Sequence, residues 1–295
     1  MFDLRYHVAS LAAVFLALVI GILVGVGIAD RGYVDKGVRG LLEQRIAKLQ
    51  SDLADARTKS ENLAAEQRAT QAFVTDTYPE LMANRLRGKN IALVFLGPSD
   101  SQIRASLEQA LADGGANGWV RVRALKFPLD VPQIDNTLAG DPSLARYVGD
   151  ARLPALGKSL AEELATGGKA PLWSTLAEQI VAERAGSEKR PADGVIVVRT
   201  AGKQYHGTAK FLAGFYSGLI AAPVPVVGVE TTDASQSTVK AFHRNGISSV
   251  DNVDEAIGKF ALTLLLDGAK AGDYGVKPSA ADGVLPPLDT ASRSG

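Results

Sequence analysis

Residues 8–29 read VASLAAVFLALVIGILVGVGIA, and this stretch sets the organisation of the whole chain. Its 22 residues include a single polar side chain, Ser10. A helix of this length measures about 33 Å, enough to cross the hydrocarbon core of a bilayer. The alternative is a cleaved signal peptide, whose apolar core is only about 7–15 residues long. The stretch therefore predicts an uncleaved membrane anchor within residues 1–29.

The distribution of basic residues around the anchor bears on the side of the membrane that holds the rest of the chain. Arg5 precedes the helix. The basic residues that follow it most closely are Arg31, Lys36, Arg39, Arg45 and Lys48. Lysine and arginine favour the cytoplasmic side, so the pattern leans towards a cytoplasmic C-terminal part. One residue before the helix is too few to decide, and the sequence leaves the side open.

Composition excludes several classes of function. The 295 residues carry 32 basic and 32 acidic side chains, so no charge excess attracts nucleic acid. The chain has no cysteine, which excludes disulfides, zinc–thiolate clusters and thiolate catalysis. Its three histidines and two methionines are scattered, and no pair has the spacing of metal ligands. The residues alone therefore predict no metal site.

The segment after the anchor predicts a stalk. Residues 30–40 contain three glycines, which indicates a flexible joint, and residues 41–79 have the composition of a helix that Pro79 ends. Apolar residues within this helix alternate at spacings of four and three. The clearest members, which we call the stalk seam, are Leu42, Ile46, Leu49, Leu53, Ala56 and Leu63.

The stalk seam favours a coiled coil that joins two copies of the chain or binds a helix of another protein. Its spacing continues through Ser60, Gln67, Thr70 and Val74, where polar residues weaken it. A single amphipathic helix packed on the following domain remains the alternative.

Residues 88–275 predict a doubly wound, mostly parallel α/β domain of the Rossmann or flavodoxin-like kind. Short apolar runs alternate with segments of helical spacing, the pattern of a parallel sheet covered on both faces. The predicted strands are residues 91–96, 119–125, 194–199, 225–230 and 246–250. The predicted helices lie around residues 103–111, 156–164, 172–184, 211–222, 235–244 and 253–266. Residues 276–295 are rich in Pro, Ser and Ala, and predict a disordered tail.

Familiar catalytic motifs are incomplete. Gly157-Lys158-Ser159 resembles the end of a phosphate-binding loop, but Arg152 stands where that motif needs its first glycine. The sequence contains neither the dinucleotide-binding fingerprint after its first strand nor a nucleophile elbow. We therefore expect a protein that is not an enzyme.

The best candidate for a ligand or partner site is the loop 200–208, TAGKQYHGT. It leaves the carboxyl end of a predicted strand, where open α/β sheets bind ligands. Its candidate residues are Thr200, Lys203 and His206. Neighbouring strand ends would add Ser99, Asp100, Glu230, Thr231 and Asp233. The alternative is an ordinary polar surface loop.

Several segments resemble the actinobacterial MctB family of copper transporters. They are MFDLRYHVASLAAVFLALVIGILVGVGI, FYSGLIAAPVPVVGVE and, most specifically, the pattern VDNVD…GKFAL…DYGVK within residues 249–277. The resemblance implies a membrane protein of copper transport or homeostasis, with copper as the only metal suggested. It brings no pattern of catalytic or metal-ligating residues to this chain.

The same family group includes SteB, which acts in cell separation alongside SteA. The resemblance therefore also implies an alternative function, a non-enzymatic coiled-coil scaffold in a membrane complex of cell separation or envelope regulation. Its partner would be a second copy or a SteA-like protein.

The specific segment also predicts local structure. Asp251 or Asn252 can cap a helix that begins at Val253, and Gly268 can end that helix. Tyr274 and Gly275 would then fold back on the domain.

Overall fold

A computed structural model describes residues 4–29, 33–199 and 205–288 of the chain. These residues form two compact units, with the boundary after Gln71. The first unit contains helix α1 (Leu4–Ala29) and most of helix α2 (Tyr33–Met82). The second contains the end of α2 and an α/β domain.

Helix α1 has the properties of a membrane span. Its segment Val8–Gly27 has a mean hydropathy of 2.7, and none of it is buried within the protein. A fully exposed apolar helix is stable in lipid and costly in water, so the structure agrees with the predicted single-pass anchor.

Helix α2 is longer than the sequence predicts. Residues 33–40 are helical, so the predicted flexible joint is wrong for them, while residues 30–32 lie outside the described residues. Pro79 does not end the helix either, which continues to Met82. A contact with a later part of the chain stabilises the last turn of α2, because the Tyr78 hydroxyl donates to Asp113 Oδ2 at 2.8 Å. Met82 is buried against two residues of a later helix, Phe260 and Leu264.

The α/β domain contains seven strands. They are β1 (Ile91–Leu96), β2 (Trp119–Leu125), β3 (Val181–Gly186), β4 (Gly194–Arg199), β5 (Val226–Val229), β6 (Ser248–Val250) and β7 (Asp273–Tyr274). The helices are α3 (Ser101–Asp113), α4 (Val131–Ala139), α5 (Leu153–Thr166), α6 (Pro171–Thr175), α7 (Ala177–Ile180), α8 (His206–Ala221), α9 (Val239–Arg244) and α10 (Ala256–Leu266).

The strands form one mostly parallel sheet in the order β3-β2-β1-β4-β5-β6-β7. Every neighbouring pair is parallel except β2 and β3. The sequence missed β3, because Leu172, Leu176 and Ile180 have helical spacing and the predicted helix was extended from them to residue 184. That spacing holds only through α6 and α7. Beyond Ile180 the chain pairs antiparallel with β2, and this tertiary contact overrides the local pattern.

Helices cover both faces of the sheet, as the apolar strand β1 predicts. All six side chains of β1 are buried, and they alternate between two cores. Ala92, Val94 and Leu96 join the core formed with α5 and α8. Ile91, Leu93 and Phe95 join the core formed with α3 and α10.

Three glycines allow α5 and α8 to pack closely. A methyl group at Gly157 would overlap the backbone of Phe211, one at Gly214 that of Pro154, and one at Gly218 that of Lys158. Gly157, which resembles part of a phosphate-binding loop in the sequence, therefore has a structural role at a helix crossing.

The C-terminal segment differs from the predicted disordered tail. Residues 276–288 follow β7 along the sheet edge, and the Gly275 N–H donates to the Gly283 carbonyl at 3.0 Å. Leu285 packs against buried core residues. Residues 289–295 lie outside the described residues.

Candidate functional site

A cleft of about 290 Å³ lies at the carboxyl ends of β1, β4 and β5. The loop before α3, the end of β4 and the segment after β5 contribute polar residues to it, among them Asp100, Arg199, Glu230, Thr231 and Asp233. Parallel strands place their carboxyl ends at one edge of the sheet, which explains why residues so far apart in sequence meet here.

The structure brings together only some of the predicted residues. Glu230 and Thr231 line the cleft. Ser99 does not line the cleft and lies instead near Glu183 on β3, where it is the main cause that lowers the pKa of the Glu183 carboxyl. Thr200 and Lys203 lie outside the described residues. His206 begins α8, and its side chain also lies outside them.

Glu230 is the most constrained group of the cleft. Its side chain is buried, and Oε1 accepts a bond from Lys277 Nζ at 2.8 Å. Oε2 accepts bonds from the backbone N–H of Thr238 at 2.5 Å and from its hydroxyl at 3.0 Å. Lys277 also donates to the Thr231 carbonyl at 2.6 Å. Through bonds on both of its oxygens, Glu230 links the end of β5 to Thr238 before α9 and to Lys277 in the C-terminal segment. The role of this carboxylate is therefore structural.

Two other polar groups of the cleft are also engaged. Asp100 caps α3, because its Oδ1 accepts the N–H groups of Gln102 at 2.8 Å and Ile103 at 3.0 Å. Arg199 donates to the Tyr216 hydroxyl at 3.1 Å and lies over the ring of that tyrosine. These contacts position the strand ends and helix starts around the cleft.

The contact between Asp251 and Lys277 is one that the sequence did not predict. The fully buried Asp251 does not cap the following helix, which begins at Ala256 rather than Val253. Its two oxygens accept the N–H groups of Val276 at 2.9 Å and Lys277 at 3.0 Å. Burial raises the pKa of Asp251, while these N–H groups and the Lys277 charge oppose the rise.

The motif VDNVD…DYGVK contains the signal that could have revealed this contact, since Asp251 and Lys277 lie in its two ends. Between them Gly275 has a φ of +143°. A side chain at this position would overlap the Asp251 carboxylate. The most specific segment of the chain therefore fastens the C-terminal segment to the sheet edge.

The described side chains offer no assembled metal site. Within residues 4–29, 33–199 and 205–288, no group of three or more His, Cys, Asp or Glu residues is arranged to hold a metal ion. Met82 is fully buried in an apolar cluster. His243 Nδ1 lies 2.6 Å from Asp273 Oδ2, a contact that links α9 to the edge strand β7.

The stalk seam is an exposed row of apolar side chains in the described part of the chain. Five of its side chains are between 51% and 66% exposed, and Ala56 is exposed as well. A helix surface of this kind is expected to be covered by another helix.

A comparison with protein families identifies the chain. The family model described as "Copper transport outer membrane protein, MctB" matches residues 1–286. The chain belongs to the MctB family. Membership covers the anchor, the stalk and the α/β domain together, and it confirms the resemblance drawn from the sequence. A comparison with curated proteins found no match.

Membership in the MctB family makes this chain a membrane protein of copper transport or homeostasis. The single apolar helix α1 agrees with a single-pass anchor. Copper is the cargo that the family description implies, and the described side chains offer no ligand cluster for it.

Proposed function

We propose that this MctB-family chain maintains copper homeostasis as a self-associating, non-enzymatic scaffold anchored in the membrane. The observation that carries the proposal is the exposed stalk seam on α2. In a single chain its leucine and isoleucine side chains are more than half exposed. Burying one such side chain fully stabilises a complex by about 1.5–3 kcal/mol, so several together favour association.

Self-association also bears on transport. One apolar helix without charged residues cannot by itself line a path for a metal ion. Residues 8–27 are such a helix. Stalk pairing would bring two anchors together, or present two α/β domains to a transport partner. Copper movement in this account depends on an assembly rather than on one chain.

The cleft supports a non-enzymatic role. The two oxygens of Glu230, one oxygen of Asp100 and the Arg199 guanidinium are bonded to groups of the protein itself. General acid–base catalysis needs a carboxyl or imidazole that can reach the substrate, and the bonds on both oxygens of Glu230 hold that carboxylate to the protein instead. The bonded groups instead suit a scaffold whose strand ends and C-terminal segment are held together.

Cross-linking of full-length protein in membranes tests the proposed association. The chain has no cysteine, so a single introduced thiol can cross-link only between molecules. Ala56→Cys lies in the stalk seam and Ser51→Cys on the opposite face of α2. We expect a short bismaleimide to convert Ala56→Cys, but not Ser51→Cys, into a covalent dimer. Equal yields from the two variants, or no dimer from either, would overturn the proposal.

The SteB-like alternative uses the same exposed seam with a different occupant. A scaffold of cell separation would pair its stalk with a helix of another envelope protein, such as a SteA-like protein. Cross-linking of Ala56→Cys would then need a reagent reactive with lysine on its second arm and would give a mixed product. A mixed product without any homodimer would favour this alternative.

A further inference from the structure

Charged residues flank the stalk seam at positions where two coiled-coil helices meet. Leu53 and Ala56 are seam residues three positions apart, so Asp52 comes immediately before one and Arg57 immediately after the other. In a parallel pair of helices, the residue before the first of two such seam residues faces the partner's residue after the second, five positions further along. For Asp52 that residue is Arg57 of a second copy.

These two side chains cannot pair within one chain. Five positions along a helix correspond to a rotation of about 500°, which leaves the side chains about 140° apart around the axis. Both are exposed. Within the described part of the chain neither makes a hydrogen bond or an ion pair. Both charges are therefore available to a second molecule.

We propose that α2 forms a parallel, in-register, two-stranded coiled coil with a second copy of this chain, fixed by two reciprocal Asp52–Arg57 ion pairs. This inference rests on the self-association proposed above and adds its partner, direction and register. The parallel orientation of the two α2 helices follows from the position of α1, which precedes α2 in the chain. Two copies anchored in one membrane both start α2 from that membrane.

The register follows from the other flanking residues. From Arg45 onward, the remaining in-register pairs that contain a charged residue are Arg45 with Gln50, Lys59 with Ala64 and Glu66 with Gln71. None of them places like charges together. A shift of one helix by seven residues would instead set Arg45 and Lys59 each against Arg57, and Asp52 would lose its partner. Like charges opposed in this way disfavour the shifted pair.

One further residue fits the in-register arrangement. Gln67 occupies a seam position and would face Gln67 of the second copy, where two amides can hydrogen-bond and specify register.

Charge exchange tests the proposal in full-length protein that also carries Ala56→Cys. Asp52→Arg alone and Arg57→Asp alone each replace two attractive pairs by two repulsive ones. We expect each to reduce the self-association constant about tenfold at low salt, and the reduction to shrink as salt screens the charges. The double variant restores opposite charges and should recover the original yield. Asp55→Arg, which lies away from the seam, is the control and should have no effect.

Co-expression of the two single variants with different epitope tags gives a sharper readout. Asp52→Arg and Arg57→Asp chains should cross-link with each other in preference to themselves, because only the mixed dimer has both attractive pairs. If the single variants dimerise as well as the control, or the double variant is not restored, the register is wrong although the seam dimer stands. If Ala56→Cys alone gives no dimer, the self-association itself fails, and this inference with it.

Discussion

The carboxylate of Asp251 holds the C-terminal segment against the sheet edge. It is buried and accepts two backbone N–H groups, those of Val276 and Lys277. A local pattern could suggest only that Asp251 caps the next helix, because its real partners lie 25 and 26 residues further along the chain. Contacts over such distances are invisible to spacing arguments. The predicted tail was therefore placed too early, at residue 276.

Asp251→Asn should loosen this attachment. The amide keeps one acceptor oxygen, but its NH₂ group meets an N–H donor, so one buried bond is lost and a donor is left unpaired. We expect the free energy of unfolding of the α/β domain to fall by about 1–3 kcal/mol. Denaturant titration followed by tryptophan fluorescence measures the change, and amide exchange at residues 276–288 should rise. Asp55→Asn on the exposed surface of α2 is the control. Unchanged stability together with unchanged exchange would show that these bonds do not hold the segment.

At the scale of elements, buried strands and amphipathic helices were predictable from the chain itself. The run 91–96 is apolar throughout and forms β1, buried on both faces. Elements that form only through contacts with distant parts of the chain were not predictable. β3 forms because β2 offers it an edge, and α2 runs past Pro79 because Tyr78 and Met82 are anchored on the α/β domain. The residues of loop 200–204 lie outside the described residues, so its predicted site stays a prediction.

The crossing of α5 and α8 gives a prediction at this scale. Gly214→Ala places a methyl group onto the Pro154 carbonyl, and both atoms belong to backbones that cannot move separately. We expect the free energy of unfolding to fall by about 1–3 kcal/mol. Gly40→Ala in α2 is the matched control, because a methyl group there meets no atom within 4 Å. Denaturation curves of the two variants in detergent would decide. A Gly214→Ala protein as stable as Gly40→Ala would contradict the close packing.

At the scale of the whole molecule, the anchor, stalk and α/β domain fall within one family match that covers residues 1–286. The family description supplies copper, and the structure supplies an exposed seam between the anchor and the domain. Together they are the basis of the proposal that the functional unit is an assembly of chains. The seam was predictable because heptad spacing is a local property. The molecule that would cover the seam was not predictable, because the periodicity of one chain does not identify a partner. Only the charges beside the seam bear on that question.

Copper tolerance of cells with a weakened seam tests this account most directly. Leu49→Asn with Leu53→Asn removes apolar area from the stalk seam. Ala47→Asn with Ala54→Asn lowers helix propensity to a similar degree at exposed positions away from it. Each full-length variant replaces the native chain, and its amount in the membrane is measured alongside growth in copper. We expect the Leu49/Leu53 variant to be as copper-sensitive as cells without the chain, and the Ala47/Ala54 variant to grow normally. Full copper tolerance of the Leu49/Leu53 variant, at equal membrane levels and with cross-linking abolished, would contradict the central claim.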